Sequence, residues 1–202
     1  MKYQLLGLSI LGTVLGFQLF SDRPSYGEPE TIFQPIIPEI RDRLPKNYQL
    51  RLPAALPKFT EELELYAFIP DDDLQLIGVG EKEVFTVAVA SLPNCAEQED
   101  PTNCIVGIVG VTEAISDSVL EMEDLPPNSE NVIPVNLAQD VSGFYLEQGA
   151  EMQLVVWEQD RLGHLLVVKK CEDDCVSQEE LIEMAISAAR KPAITKEPSI
   201  SQ

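Results

Sequence analysis

The spacing of apolar and polar residues divides the chain into an initial apolar run, a long part with a two-residue period and a final part with helical spacing. Short stretches rich in β-branched and aromatic residues, bounded by Pro, Asp or Gly, predict β-strands. They are residues 63–69, 74–80, 83–91, 104–111, 144–149, 152–158 and 162–170. Residues 48–52 alternate in the same way, so we expect them to join the sheet as its first strand.

The clearest helix signal lies near the end of the chain. Ser177 is followed three residues later by Glu180, the spacing of a capping box, and Pro192 ends the helical pattern. The apolar residues between them share one helical face: Leu181, Ile182, Ala185, Ile186 and Ala189. This spacing predicts a helix over residues 178–190 whose apolar face covers the sheet.

The segments around these elements have their own signals. Residues 28–47 are rich in proline, which predicts an extended arm with at most one helical turn at 39–44. A short helix is predicted over 115–122 because Ile115, Val119 and Met122 share a face. We expect residues 192–202 to be a disordered tail.

Together the elements predict a single α+β domain over residues 48–191. Its centre is a curved antiparallel sheet of about six to eight strands, with the C-terminal helix packed on one face. A chain of this size buries enough apolar surface for one core.

The first residues indicate export. Lys2 precedes an apolar run of 16 residues from Leu5 to Phe20, shorter than the roughly 20 residues that a membrane-spanning helix needs. Ser25 and Gly27 are small residues of the kind that signal peptidase accepts. We therefore expect residues 1–27 to be a cleaved signal peptide, with an uncleaved N-terminal anchor as the alternative.

The four cysteines are expected to form disulfides, since no reducing thiol pool protects them in an exported protein. Of the three pairings, we favour Cys95 with Cys104 and Cys171 with Cys175, because each pair brackets a short polar loop. A zinc site is the alternative, but C-x8-C and C-x3-C do not fit its usual spacings. No metal or cofactor is expected.

The charge of the chain restricts its partners. The formal net charge is −20, and removal of residues 1–27 would make it about −21. Such a surface repels phosphate backbones and anionic lipids, which excludes nucleic acid and anionic membrane surfaces as partners. A basic partner or calcium is compatible with this charge. The acidic clusters at 71–73, 121–124 and 172–174 lack the calcium-loop pattern, so we expect solvated loops.

The candidate site residues are aromatic. Phe144, Tyr145 and Trp157 are candidates for a platform that contacts a sugar or lipid, with core packing under the helix as the competing interpretation for Trp157. His164, the only histidine, is expected at the rim of the packed surface, where it completes this ligand-contacting group or is simply structural. It has no partners for general-base chemistry and the chain has no G-x-S-x-G motif, so no catalytic residue is predicted.

The chain resembles a family of exported cyanobacterial proteins of unknown function. The resemblance rests on "LPKNYQLRLPAALP", "SLPNCAEQEDPTNCIVG", "VSGFYLEQG", "LVVWEQDRLGHLLVV" and "LIEMAISAA" and covers roughly residues 36–190. The last third is also similar to an envelope module with a Gly-aromatic strand, a Trp-containing hairpin and a closing helix. Cys171 and Cys175 lie outside that pattern, and Gly163-His164 stands where a tyrosine is usual. The resemblance implies an antiparallel sheet with a helix on it and no catalytic residue.

Three functional hypotheses follow. The first is an exported, non-enzymatic binding domain whose partner is an envelope protein, in the periplasm, thylakoid lumen or medium. The second is a carrier that holds a small hydrophobic ligand in the concave face of the sheet, and the third is an envelope hydrolase. A large apolar cavity between sheet and helix would favour the carrier, and a filled core with an apolar surface patch would favour the binding domain.

Overall fold

Seven strands form the main sheet of the protein. The structure, a computed structural model, describes residues 30–57, 64–70, 84–113, 129–170 and 176–196. The strands are β2 (Tyr66–Phe68), β3 (Val84–Ala90), β4 (Ile105–Glu113), β5 (Ser129–Ala138), β6 (Val141–Gln148), β7 (Met152–Gln159) and β8 (Leu162–Lys169). Each pairs antiparallel with its neighbours in the order β2-β3-β4-β8-β7-β6-β5. The predicted α+β class with an antiparallel sheet and a C-terminal helix is confirmed.

Two α-helices accompany the sheet within the described residues, α1 (Ile37–Arg43) and α2 (Gln178–Ala189). The capping box of α2 is present: the Glu180 backbone N–H donates to the Ser177 hydroxyl at 3.3 Å, and the Ser177 backbone N–H donates to the Glu180 carboxylate at 2.8 Å. In the described part of the chain, none of the helices is long and apolar enough to cross a membrane.

The two faces of the sheet carry separate apolar clusters, as strand alternation requires. In β8, Leu166 and Val168 belong to one cluster, whereas Leu165 and Val167 belong to the other. We call the first the helix face, because α2 packs on it together with the N-terminal residues Phe33, Ile40 and Leu44. The other we call the second face; it contains Ala88, Ala90, Cys95, Cys104, Ile105, Ile108, Leu146, Leu154, Val156, Leu165 and Val167.

The hairpin of β3 and β4 is closed by the predicted disulfide. Cys95 and Cys104 are bonded, with their Cα atoms 5.8 Å apart. The loop between them contains two 3₁₀ turns, Cys95–Glu97 and Pro101–Asn103. The Lys169 ammonium donates to the Thr102 carbonyl at 3.2 Å, which ties this loop to the end of β8. The second predicted disulfide, between Cys171 and Cys175, lies outside the described residues.

The prediction of an extended N-terminal arm is wrong for residues 31–38, whereas the helical turn allowed at 39–44 overlaps α1. A 3₁₀ helix at Thr31–Ile36 leads into α1. Pro38 is compatible with this helix because it lies in the first turn of α1, where a backbone N–H would have no acceptor within the helix. The segment is also packed rather than free, since Phe33 and Ile40 are fully buried.

The first strand and the tail also differ from the prediction. β1 (Gln49–Leu50) does not join the main sheet but pairs antiparallel with β9 (Ile194–Thr195). Residues 192–196 are therefore not a disordered tail, and Ile194 is buried. The alternation at 48–52 predicted a strand at β1 but not its partner, because the two-residue β9 is too short to leave a period in the sequence.

β5 was missed by the sequence pattern. It contains Pro134, and its pairing with β6 is interrupted twice by register shifts. Both features belong to an edge strand, where proline costs no ladder hydrogen bond and bulges are common. The predicted strand 74–80, the helix 115–122, the signal peptide 1–27 and residues 197–202 all lie outside the described part of the chain.

Candidate functional site

Trp157 and His164 stack against each other on the helix face. They lie opposite each other in the β7–β8 register, with ring centroids 5.2 Å apart and planes inclined by 18°. Only 2% of Trp157 and 1% of His164 are exposed. The expectation that His164 lies at a rim is wrong, because β8 is a central strand, paired with β4 on one side and β7 on the other.

Gly143 lies opposite Trp157 on the neighbouring strand β6. A Cβ atom at Gly143 would lie 2.8 Å from the Trp157 Cβ and closer still to the Val156 carbonyl oxygen. The close approach of the two strands thus requires a residue without a side chain at this position.

Three segments meet beside the Trp157–His164 pair, at the turn between β7 and β8. The Trp157 indole N–H donates to the Gln159 side-chain oxygen at 3.4 Å, and the Gln159 amide donates to the Ala189 carbonyl at 3.1 Å. Arg51, which follows β1, donates to the carboxylate of Asp160 at 2.6 Å. The turn is thereby held between the C-terminal end of α2 and the segment after β1.

The Arg51 guanidinium joins these segments. One of its nitrogens donates to the carbonyl oxygens of Ala189 and Lys191, where the negative end of the α2 dipole lies. Its other terminal nitrogen makes the ion pair with Asp160, whose side chain is 47% exposed against 11% for Arg51. A single side chain thus contacts both the last turn of α2 and the β7–β8 turn.

His164 is held neutral by its surroundings. Burial, and then the nearby positive charge of Arg51, lower its pKa to about 4, although a hydrogen bond with the Gln159 backbone and the charge of Asp160 oppose the shift. The His164 Nε2 atom is buried without a hydrogen-bond partner in the part of the chain that the structure describes, as are Arg51 Nε and Lys191 Nζ. A neutral imidazole tolerates this better than a charged one.

A second polar cluster lies on the helix face near the other end of β6. The Tyr145 hydroxyl lies 3.0 Å from Glu147 Oε1 and 3.1 Å from Gln153 Oε1. Burial, and then the Glu147 carboxylate, raise the pKa of Tyr145. The Gln153 amide donates to the Val176 carbonyl at 3.0 Å. Tyr145 is therefore a hydrogen-bond donor inside the core and not a nucleophile.

Glu147 is the ionised member of this cluster. Its carboxylate lies 2.7 Å from the Lys170 ammonium and accepts from the Asn131 amide at 2.9 Å. The Lys170 and Asn131 hydrogen bonds lower the pKa of Glu147. The Glu147–Lys170 ion pair and the Gln153–Val176 hydrogen bond fix the residues on either side of the segment 171–175. This indicates a structural role for Glu147.

The predicted aromatic platform is not assembled. Tyr145 and Trp157 lie on the helix face and are buried, whereas Phe144 packs against the second face. Adjacent residues of one strand point to opposite faces, so Phe144 and Tyr145 cannot contact one ligand together. Core packing under the helix was the alternative interpretation for Trp157, and its position in the cluster with Leu181 and Ala185 agrees with it.

The β5–β6 hairpin carries a surface depression that the sequence did not indicate, because β5 was not predicted. Its volume is about 470 Å³. We call it the hairpin groove; its lining residues are Pro134, Val135, Asn136, Asp140, Val141 and Ser142. Ile133, next to it on β5, is 37% exposed, which is unusual for a large apolar side chain in this protein.

Comparisons with known proteins give no match to a family model, a curated protein or a solved structure. The resemblance to exported cyanobacterial proteins therefore stays a prediction. In the described ranges, no three His, Cys, Asp or Glu side chains are grouped closely enough to hold a metal ion.

Proposed function

We propose that the protein is an exported, non-enzymatic binding domain that contacts an envelope protein through the hairpin groove. The observation that carries this proposal is the contrast between a filled helix–sheet interface and an open, partly apolar groove at the sheet edge. Apolar surface that stays exposed beside polar residues is typical of protein contact sites.

The filled interface supports a binding domain over a carrier of a hydrophobic ligand. Tyr145, Trp157 and Leu166 occupy the space between sheet and α2 with at most 2% of each side chain exposed. On the second face, Leu146 and Leu154 are buried to a similar degree. A ligand on either face would have to displace the atoms that bury these side chains, and native interiors are packed too densely to yield such space freely.

The charge and the backbone of the groove indicate the charge of the partner segment and the way in which it binds. Asp140 is the charged lining residue, and the whole chain carries a net charge of −20, so a basic partner segment is favoured electrostatically. Pro134 removes a backbone donor from the edge strand, which disfavours addition of a further strand. The partner is therefore expected to bind through side chains that enter the groove.

Export is supported by the signal-peptide pattern of residues 1–27 and by the Cys95–Cys104 disulfide, which suits an oxidising compartment. We expect the mature chain to begin at Glu28. The intact mass of protein purified from the extracytoplasmic fraction measures this directly. Recovery of the full-length chain only in membranes would contradict cleavage and favour the anchor.

The groove is tested with a photo-crosslinking residue at Ser142 in the native host. We expect one envelope protein to crosslink, and Asn136→Lys to reduce its yield at least 10-fold, because a positive charge in the groove repels a basic segment. Asn47→Lys is the matched control: it makes the same chemical change at an exposed position far along the chain from the groove, and it should retain crosslinking.

Two results would contradict the proposal. Equal loss of crosslinking in both variants would mean that net charge, and not the groove, controls association. An apolar small molecule that co-purifies in native mass spectrometry, with no protein crosslinked from Ser142, would favour the carrier hypothesis instead.

A further inference from the structure

We propose that the segments joined by β1 and β9 form an acid-sensitive clasp, which opens when His164 beneath it takes up a proton. By the terminal clasp we mean residues 48–54 together with residues 189–196. Opening would expose the apolar side chains that it buries, which are Leu50, Leu52 and Ile194. This device is independent of the groove and of any partner that binds there.

The backbone ladder of the terminal clasp is short. β1 and β9 pair over only two residues each. The Ala54 N–H donates to the Ser187 hydroxyl at 3.1 Å, and Arg51 donates to the Ala189 and Lys191 carbonyls. By contrast, β8 below it is paired along its length with β4 and β7. The clasp is therefore the element that yields first when its contacts weaken.

The clasp also crosses the end of the sheet where His164 lies. The Glu113 N–H, at the end of β4, donates to the Tyr48 hydroxyl at 3.3 Å, and Arg51 reaches Asp160 in the β7–β8 turn at 2.6 Å. His164 pairs with Val111 of β4, two residues before Glu113, and with Trp157 of β7, three residues before Asp160, so it lies near the end of the sheet that holds both anchor points. The His164 side chain can contact water only if the residues packed over it move.

Two charged groups act on the buried imidazole of His164, Arg51 of the clasp and Asp160 of the β7–β8 turn. Glu113 at the end of β4 contacts the Tyr48 hydroxyl through its N–H, and Lys191 after α2 contacts Arg51 through its carbonyl. Among them, Arg51 opposes protonation of His164 and Asp160 favours it. A proton on Nε2 would create a buried donor without an acceptor, beside a guanidinium whose own Nε already has none.

The sign of the pH dependence follows from the depressed pKa. In the closed state the His164 pKa is about 4, whereas in an open, solvated state it returns towards 6.5. The stability of the closed state relative to the open state is therefore highest above pH 6.5 and decreases as the pH falls towards 4. The gap of about 2.5 pH units corresponds to a roughly 300-fold fall in the ratio of closed to open molecules across that window.

Hydrogen exchange of the full chain, measured by mass spectrometry between about pH 7 and pH 4.5 and corrected for intrinsic rates, tests the proposal. We expect exchange in residues 48–54 and 189–196 to rise as the pH falls, while β6, β7 and β8 stay protected. Trp157, the only tryptophan, provides a second readout, because its fluorescence should change over the same pH window when the ring stacked on it becomes charged.

His164→Phe is the decisive variant, since it keeps a ring against Trp157 but cannot take up a proton. His164→Gln serves the same purpose if the phenylalanine variant does not fold. Either variant should show flat exchange and flat fluorescence over the window. Wild-type and variant proteins with the same pH response, or a wild-type chain in which the whole sheet exchanges together with the clasp, would overturn the proposal.

Discussion

At the scale of single residues, the environment of Trp157 shows how one large side chain constrains its neighbours. Gly143 leaves room for the Trp157 Cβ and the Val156 carbonyl on one side, and the His164 ring stacks on the indole on the other. His164 is consequently buried in a central strand and loses its ordinary basicity. A chemically versatile residue is thereby made part of the packing, and in the clasp that we propose it is the group that responds to acid.

Gly143→Ala should destabilise the protein by about 1 to 3 kcal/mol, because the added methyl group would overlap the Val156 carbonyl and the Trp157 side chain in a filled core. Thermal or denaturant unfolding measures the change. The neighbouring Ser142→Ala is the control, since Ser142 is exposed and its substitution should alter stability by less than about 0.5 kcal/mol. Equal effects of the two substitutions would show that the overlap at Gly143 is relieved by movement of the strand.

At the scale of elements, α2 is the part whose sequence signals agree best with each other. Its capping box, its end before Pro192 and its apolar face all predict the same helix, and the structure has it at Gln178–Ala189. The helix covers the sheet with Leu181, Met184, Ala185, Ala188 and Ala189. Because these signals are local, a single sequence was sufficient to place the element.

Leu181→Ala should lower the free energy of unfolding by about 2 to 5 kcal/mol, since Leu181 is completely buried under the helix and its removal leaves a cavity. Glu183→Ala, on the exposed side of the same helix, should cost less than about 0.5 kcal/mol. The melting temperatures of the two variants provide the comparison. A Leu181 variant as stable as the Glu183 variant would mean that α2 does not close the core.

The elements that the sequence did not reveal are those whose stability comes from distant contacts. β9, the partner of β1, is two residues long, and β5 carries a proline that argues against a strand. The 3₁₀ helix and the start of α1 were hidden by prolines in a segment that packs through Phe33 and Ile40. For the same reason the hairpin groove and the Arg51 contacts had no local pattern, whereas the Cys95–Cys104 loop could be inferred from its short polar spacing.

At the scale of the whole molecule, the terminal clasp joins the beginning and the end of the described chain. Gln49 lies opposite Thr195 and Leu50 opposite Ile194, and the Lys196 ammonium donates to the Asp42 carbonyl at 2.7 Å. The last turn of α2 is fixed by the same set of contacts through Arg51. The sheet, its covering helix and the N-terminal segment are therefore coupled through one small region.

Ile194→Ala should cost about 2 kcal/mol, the low end of the range for buried isoleucine, because Ile194 is buried but lies at the edge of the core. Thr195→Ala is the matched control: it lies in the same two-residue strand but is exposed, and it should leave stability within about 0.5 kcal/mol of the wild type. Urea unfolding at neutral pH measures both. If the two variants are equally stable, β9 contributes nothing to the fold.

The pairing of β1 with β9 also orders the events of biosynthesis. β1 finds its partner β9 only after the ribosome has made the residues between them, so the nascent polypeptide cannot complete these native contacts until β9 has been made. If the chain crosses a membrane in an unfolded form, this delay keeps it competent for translocation. In that case the fold would close on the far side, and an oxidising compartment there would suit the Cys95–Cys104 disulfide.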